Sequence, residues 1–288
     1  QARFKQYVRF KPDIKLKYVY YYDTIQSVSQ DQRFPNMNTK QRAREIMRIH
    51  GLDSSMFLNP DQIREQIDLS GEENMFVRLL ERENGEKTFL RVFDDMQHHP
   101  GESEITAAFK RIAMELPSVG FLVGHGERDI NRTGDREYRG FALEKKFRYA
   151  LINQGFDVLN VSLADDVPSN IKIIVIAELK EPLTEIEEIH LERYIARGGN
   201  LFITCEPNRS EVMNVLLEKF GVQLSSGTLV QLNENFSPDL IVAKPTREAA
   251  ELNYYFDEMK RNDRCLAMSG VAGLEYDGNK GYHVIPLF

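Results

Sequence analysis

The sequence predicts an α/β fold in two parts, and three observations carry that prediction. Before Pro117 the hydrophobic runs follow one another as β-α-α-β-β-α. After it, strand and helix patterns alternate strictly, with crossovers long enough to make parallel neighbours. At the junction a short apolar run, Val119–Val123, empties into Gly124-His125-Gly126-Glu127-Arg128. Open α/β sheets present ligands at such carboxyl edges.

The first part opens with a basic, aromatic lead-in over residues 1–12. Leu16–Tyr22 is rich in strand formers, and 24–38 is polar and loop-like. Thr39 caps a helix carrying Ala43, Ile46, Met47 and Ile49, and Asn59-Pro60-Asp61 opens a shorter one. Met75–Glu81 and Thr88–Phe93 read as strands around Asn84-Gly85, a strong hairpin signal because both residues tolerate positive φ. A helix over about 103–115 closes the unit. This order suggests a thioredoxin-like topology over residues 1–116, without the Cys-x-x-Cys that redox chemistry needs.

Residues 117–288 read as a flavodoxin-like parallel sheet. A helix is expected over about 138–154, stopped by Gly155, then a strand over 156–163. Ile171–Ala177 is a continuous apolar run suited to a sheet covered on both faces. Thr184 and Glu187 have capping-box spacing and start a helix that ends at Gly198-Gly199. Leu201–Cys205 is the fourth strand and Arg209–Phe220 the helix after it. Beyond Gly221 the pattern loosens, with a strand near 228–232, a helix near 246–260 and a strand-rich end.

Composition narrows the function classes. The 288 residues are 42% hydrophobic and 28% charged, as in a soluble globular protein. Net charge is −7 with no dense Lys/Arg block, so nucleic-acid binding has no electrostatic footprint. No run has the length of a transmembrane helix. The chain begins at Gln1 without an initiator Met and closes on strand-like Val284–Phe288, which reads as a piece of something larger. Cys205 and Cys265 are too few for a disulfide scaffold, and no Cys/His cluster suggests zinc.

Gly124-His125-Gly126-Glu127-Arg128, Ala150–Asp157 (ALINQGFD) and Gly198-Gly199-Asn200-Leu201 resemble, in that order and spacing, the auxiliary component of gliding-motility-type ABC transporters. Tyr18–Asp23 and Glu104–Lys110 are similar to that family as well. The resemblance implies a membrane-anchored bacterial protein whose soluble part lies on the periplasmic face of the inner membrane, beside an ABC permease and ATPase. It also implies that the second domain is similar to one shared with an intraflagellar-transport subunit and an oligosaccharyltransferase subunit, a relative of the class I glutamine-amidotransferase fold. No P-loop pattern is present, in keeping with an accessory, non-catalytic role and no cofactor. The alternatives are a glycan-binding module of the cell envelope, with polysaccharide as ligand, and a Cys205-dependent hydrolase.

Cys205 stands at a strand end, where the amidotransferase fold carries its nucleophile. Ile203 and Pro207 are poor neighbours for a sharp elbow, Pro207 offers no N–H to an oxyanion, and no His-x-Glu follows. His125 and Glu127 suit acid–base or metal chemistry, but two groups from one loop are too few for a metal site. With Arg128, Asp129, Arg132 and Asp135 they read chiefly as a charged cluster that knits the loop. If a small ligand binds, His125, Glu127, Arg128 and Arg209 are the expected contacts, between the 124–128 loop and Glu206-Pro207-Asn208-Arg209. The plainer alternative is that Arg209 pairs with Glu127. His98-His99 reads as a solvated turn, and Tyr18, Tyr20, Tyr21 and Tyr22 as core packing with one edge contact rather than a stacking platform for sugars.

Overall fold

Residues 5–11, 13–15, 17–24 and 32–288 are described by a computed structural model of the chain. The expectations for the lead-in, for the strand start at Leu16 and for the polar stretch 24–38 fall wholly or partly outside these residues. The chain divides into two units, Gln1–Glu115 with Glu144–Gly155, and Leu116–Leu143 with Phe156–Phe288. A single cut near Pro117 does not describe this division, because residues 144–155 belong to the first unit.

The first unit contains α1 (Lys5–Phe10), β1 (Tyr20–Tyr21), α2 (Thr39–Ile49), β2 (Phe57–Leu58), α3 (Pro60–Gln66), β3 (Arg78–Glu81), β4 (Lys87–Leu90) and α4 (Glu102–Arg111). Asn38, not Thr39, caps α2: its side chain accepts from the Gln41 N–H while Gln41 answers the Asn38 N–H, a reciprocal capping box. Asn59 does the same for α3 with Gln62. β3 and β4 form the expected hairpin, with Arg78 opposite Leu90 and Glu81 opposite Lys87. β1 and β2 pair in parallel as a second, separate two-stranded sheet. Ile105 and Ala108 of α4 pack on Leu90, and Leu80 and Phe109 flank them.

The helix expected over 138–154 is replaced by a single turn, α5 (Arg139–Ala142), and a 3-10 turn at Leu151–Asn153. Side chains explain the loss. The Asn153 amide donates to the carbonyls of Glu144, Lys145 and Phe147, acceptors that a continuous helix would use for its own N–H groups. Arg148 is drawn instead into an ionic cluster with the buried Glu104 and the partly exposed Asp95. Tertiary contacts override helix propensity here. The same contacts account for two of the sequence motifs. Gln154 donates to Glu104 and to the Arg148 carbonyl, and Gly155, at φ +85°, lies where a Cβ would come within 3.3 Å of the Ala107 methyl.

The second unit is built on a four-stranded parallel sheet: β5 (Ser118–Leu122), β6 (Asp157–Val161), β7 (Ile171–Ala177) and β8 (Asn200–Thr204), in the order β6-β5-β7-β8. Chain order therefore reverses between β5 and β7, the crevice where open α/β sheets bind ligands. Ile174 and Ile176 of β7, with Leu122, Leu163 and Leu179, are buried in one core with Leu191 and Tyr194 of α6 (Glu185–Ala196) and Met213 and Leu216 of α7 (Ser210–Leu217). Burying each such side chain is worth roughly 1.5–3 kcal/mol.

Gly198-Gly199-Asn200-Leu201 serves this packing. The Tyr194 ring lies so close to the backbone that a Cβ on Gly199 would fall 2.3 Å from it, and the Tyr194 hydroxyl donates to the Asn200 carbonyl at 3.0 Å. The remainder comprises β9 (Val222–Leu224) paired with β12 (Leu274–Tyr276), β10 (Leu240–Ala243) paired with β11 (Leu266–Ser269), and the short helices α8 (Arg247–Leu252) and α9 (Tyr254–Arg261). The helix expected over 246–260 is split because Asn253 leaves helical geometry and caps α9. The strand expected near 228–232 is a loop folded on itself: Gln231 N–H donates to the Pro238 carbonyl, and its side chain accepts from Val242.

Candidate functional site

The 124–128 loop leaves β5 at the carboxyl edge of the sheet, beside the ends of β7 and β8. Gly126, at φ +73°, packs so tightly on Lys180 that a Cβ would come within 3.1 Å of that side chain. The His125 carbonyl accepts from Lys180 N–H and the Ala177 carbonyl from Arg128 N–H, so the loop is pinned to the chain leaving β7.

His125 is buried and held at both ring nitrogens. Nδ1 lies 3.1 Å from Glu127 Oε1 and Nε2 lies 3.1 Å from Glu187 Oε2, while the His125 N–H donates to Glu127 Oε2 at 2.7 Å. Both ring nitrogens therefore lie within hydrogen-bond distance of a carboxylate oxygen. Glu187 closes the capping box of α6 as well, accepting from the Thr184 N–H and hydroxyl. Burial works against its ionisation, but the Thr184 hydrogen bonds and His125 outweigh it and hold the carboxyl below its usual range.

Beside this pair, Glu178 joins the two loops that the sequence brings into question. It is the first residue after β7, buried, with φ at +62°, a left-handed conformation that side chains rarely adopt. Its carboxylate accepts from Arg128 Nε at 3.3 Å and from Arg209 Nε at 3.1 Å. Arg128 also pairs with Glu206 and lies over the Tyr138 ring, whose hydroxyl meets Thr204. Burial resists the Arg128 charge, but its hydrogen bond to Glu178 and the neighbouring acidic groups raise its pKa above the ordinary arginine value.

The geometry sorts the candidate residues. Arg128 and Arg209 converge on Glu178, although 81 positions separate them. His125 and Glu127 form a separate pair with Glu187. Arg209 is therefore paired with Glu178 and not with Glu127. Arg132 reaches Asp129 at 3.7 Å, on the exposed part of the loop. Glu178 and Glu187 were not legible as site residues: nothing in Ala177-Glu178-Leu179 signals a turn, and the capping-box spacing of Glu187 announces a helix start only.

Cys205 follows β8 and is partly buried. Its thiol is pushed above the usual range by burial and then by Glu178 and Glu206, the opposite of what a nucleophile needs. The strained strand-end position lies at Glu178, after β7, rather than at Cys205. Both cysteines are free thiols. Among the described residues no group of three or more His, Cys, Asp and Glu is placed to hold a metal ion. The His98 ring turns back to the Phe93 carbonyl while His99 faces Arg78, so the pair diverges. The tyrosines differ from expectation: Tyr18 and Tyr20 are more than half exposed, with the Tyr20 ring tilted against Phe57 at a centroid distance of 5.6 Å, and Tyr21 turns inward to the Met75 carbonyl. β1 pairs with β2 over two residues only.

Residues 116–268, more than half of the chain, match a protein family described as "ABC-type uncharacterized transport system". No curated protein matches the sequence. Among solved structures, one titled "mmIFT52 N-terminal domain" is similar at 16% sequence identity, with a TM-score of 0.41, over 56% of this chain and 69% of that one. Among the described residues no helix is long and apolar enough to cross a membrane.

Proposed function

Since this chain belongs to the family of ABC-type uncharacterized transport systems, we propose that it is a non-catalytic accessory module of a membrane-anchored transporter of the gliding-motility type. In this reading it works on the extracytoplasmic side, through contacts with the permease and ATPase subunits. Its first unit is a redox-dead thioredoxin-like module and its second a flavodoxin-like one. The β5-β7 crossover order supports the second description, and a parallel β1–β2 pair together with a β3–β4 hairpin in the first unit supports the first.

One observation carries the non-catalytic part: the reactive side chains at the carboxyl edge occupy one another. Arg128 and Arg209 are engaged by Glu178, His125 by Glu127 and Glu187, and the Cys205 thiol is pushed away from thiolate by burial first and then by Glu178 and Glu206. A polar ligand at this edge would have to displace Glu206 from Arg128. Replacing Cys205 by Ala in cells tests the assignment. An accessory module keeps transport or motility at the parental level, and a Cys205-dependent hydrolase loses it.

The exposed Tyr18 and Tyr20 favour a second reading, a glycan-binding module, because aromatic faces stack on sugar rings. Isotherms against cell-envelope polysaccharides, with Tyr20→Ala as comparison, separate it from protein contacts alone.

A further inference from the structure

We propose that the loop over residues 229–236 is the element that docks this chain on a protein subunit of its transport system, into an apolar pocket with a basic rim. The proposal rests on the accessory reading above. Leu232 is 94% exposed, Val230 70% and Phe236 57%, three apolar side chains within seven residues. Contiguous exposed apolar groups of this kind mark interaction sites.

The loop is a built structure. At its base Leu229 N–H donates to the Val271 carbonyl at 2.7 Å, and Gln231 N–H donates to Pro238 at 2.8 Å. The Gln231 side chain accepts from Val242 N–H, Asn233 accepts from Asn235 N–H in a tight turn, and Asp239 takes the Ser269 hydroxyl on β11. The backbone is thus tied on both flanks while the apolar side chains face solvent. A preformed loop of this type loses less entropy on association than a loose one.

Charge chooses the occupant. Between Lys219 and Lys244 there is no Lys, Arg or His, and the charged residues are Glu234 and Asp239. Segments that lie on membranes pair apolar residues with Lys and Arg, and anionic leaflets attract basic groups. An acidic apolar loop fits a protein pocket rimmed by positive charge, where Glu234 adds steering and register.

The test uses the full-length protein in detergent, immobilised, with the purified permease–ATPase complex as the probe. Leu232→Asp combined with Val230→Ser is expected to weaken binding at least tenfold with an unchanged thermal midpoint. Glu234→Lys is expected to slow association and reduce its salt dependence. Binding by the double variant equal to that of the parent overturns the docking loop and leaves the accessory reading standing. No binding by the parent overturns both. Flotation of the parent with phosphatidylcholine or phosphatidylglycerol vesicles, lost in the double variant, overturns the proposal in favour of a lipid surface. Concentration-dependent dimers abolished by Leu232→Asp overturn it in favour of a second copy.

Discussion

Arg148 donates to Glu104 at 2.6 Å, and both side chains are almost wholly buried, 7% and 3% exposed. The guanidinium also grips Asp95 through two nitrogens and rests on the Phe93 ring at 4.5 Å. This pairing replaces a helix with an anchored segment. Removing Arg148 leaves the buried Glu104 carboxylate without its charged partner, with only the Ser103, Gly101 and Gln154 hydrogen bonds. Arg148→Met is therefore expected to destabilise the first unit by about 3–5 kcal/mol. Chemical denaturation of the variant and its parent measures it, and a loss below 1 kcal/mol contradicts the assignment.

Gly199 is required by Tyr194. Gly199→Ala drives a methyl into the ring, so a loss of roughly 1–3 kcal/mol is expected. Combining it with Tyr194→Leu relieves the clash, and a double-mutant cycle should show the two losses to be strongly non-additive. Additive losses would place the cost in the backbone alone.

At Glu178 the usual ranking of Ala and Gly reverses. Both substitutions leave Arg128 and Arg209 without their shared carboxylate, but Gly accepts φ +62° freely. Glu178→Gly is expected to be more stable than Glu178→Ala by about 1 kcal/mol. Thermal midpoints of the two variants decide it.

Acid should weaken the fold through two carboxyls held below their ordinary range. For Glu104, burial is outweighed by hydrogen bonds from Ser103, Gly101, Arg148 and Gln154; for Glu187, by those from Thr184 and His125. A depressed folded-state pKa contributes stability above the unfolded value and loses it as pH falls through the folded one. Denaturation midpoints should therefore fall from the ordinary carboxylate range downward, and Glu104→Gln should flatten that acid limb. An acid limb as steep in Glu104→Gln as in the parent would assign the effect to other groups.

Local pattern carried much of this architecture. Ile171–Ala177 is a strand at the bounds its composition suggests, and the Asn84-Gly85 hairpin and the Thr184–Glu187 cap form as spaced. What escaped depends on partners distant in sequence. Nothing near residues 144–155 reports that Asn153 and Arg148 take their hydrogen bonds from a different contact set than a helix would. The convergence of the loops after β5 and β8 follows from parallel topology, and so was legible. Glu178 between their arginines was not, because its role comes from one unusual backbone angle. Tyr18 and Tyr20 alternate as a strand should, and alternation alone does not say which face is covered.

The central claim is that this chain acts as an accessory subunit of an ABC transport system. Purification of the full-length tagged protein from membranes in mild detergent, with quantitative mass spectrometry of what accompanies it, tests that most directly. The account predicts the permease and ATPase subunits in near-stoichiometric amount, retained in Cys205→Ala. Recovery of the protein without either subunit, under conditions in which the permease and ATPase still hold each other, would contradict it.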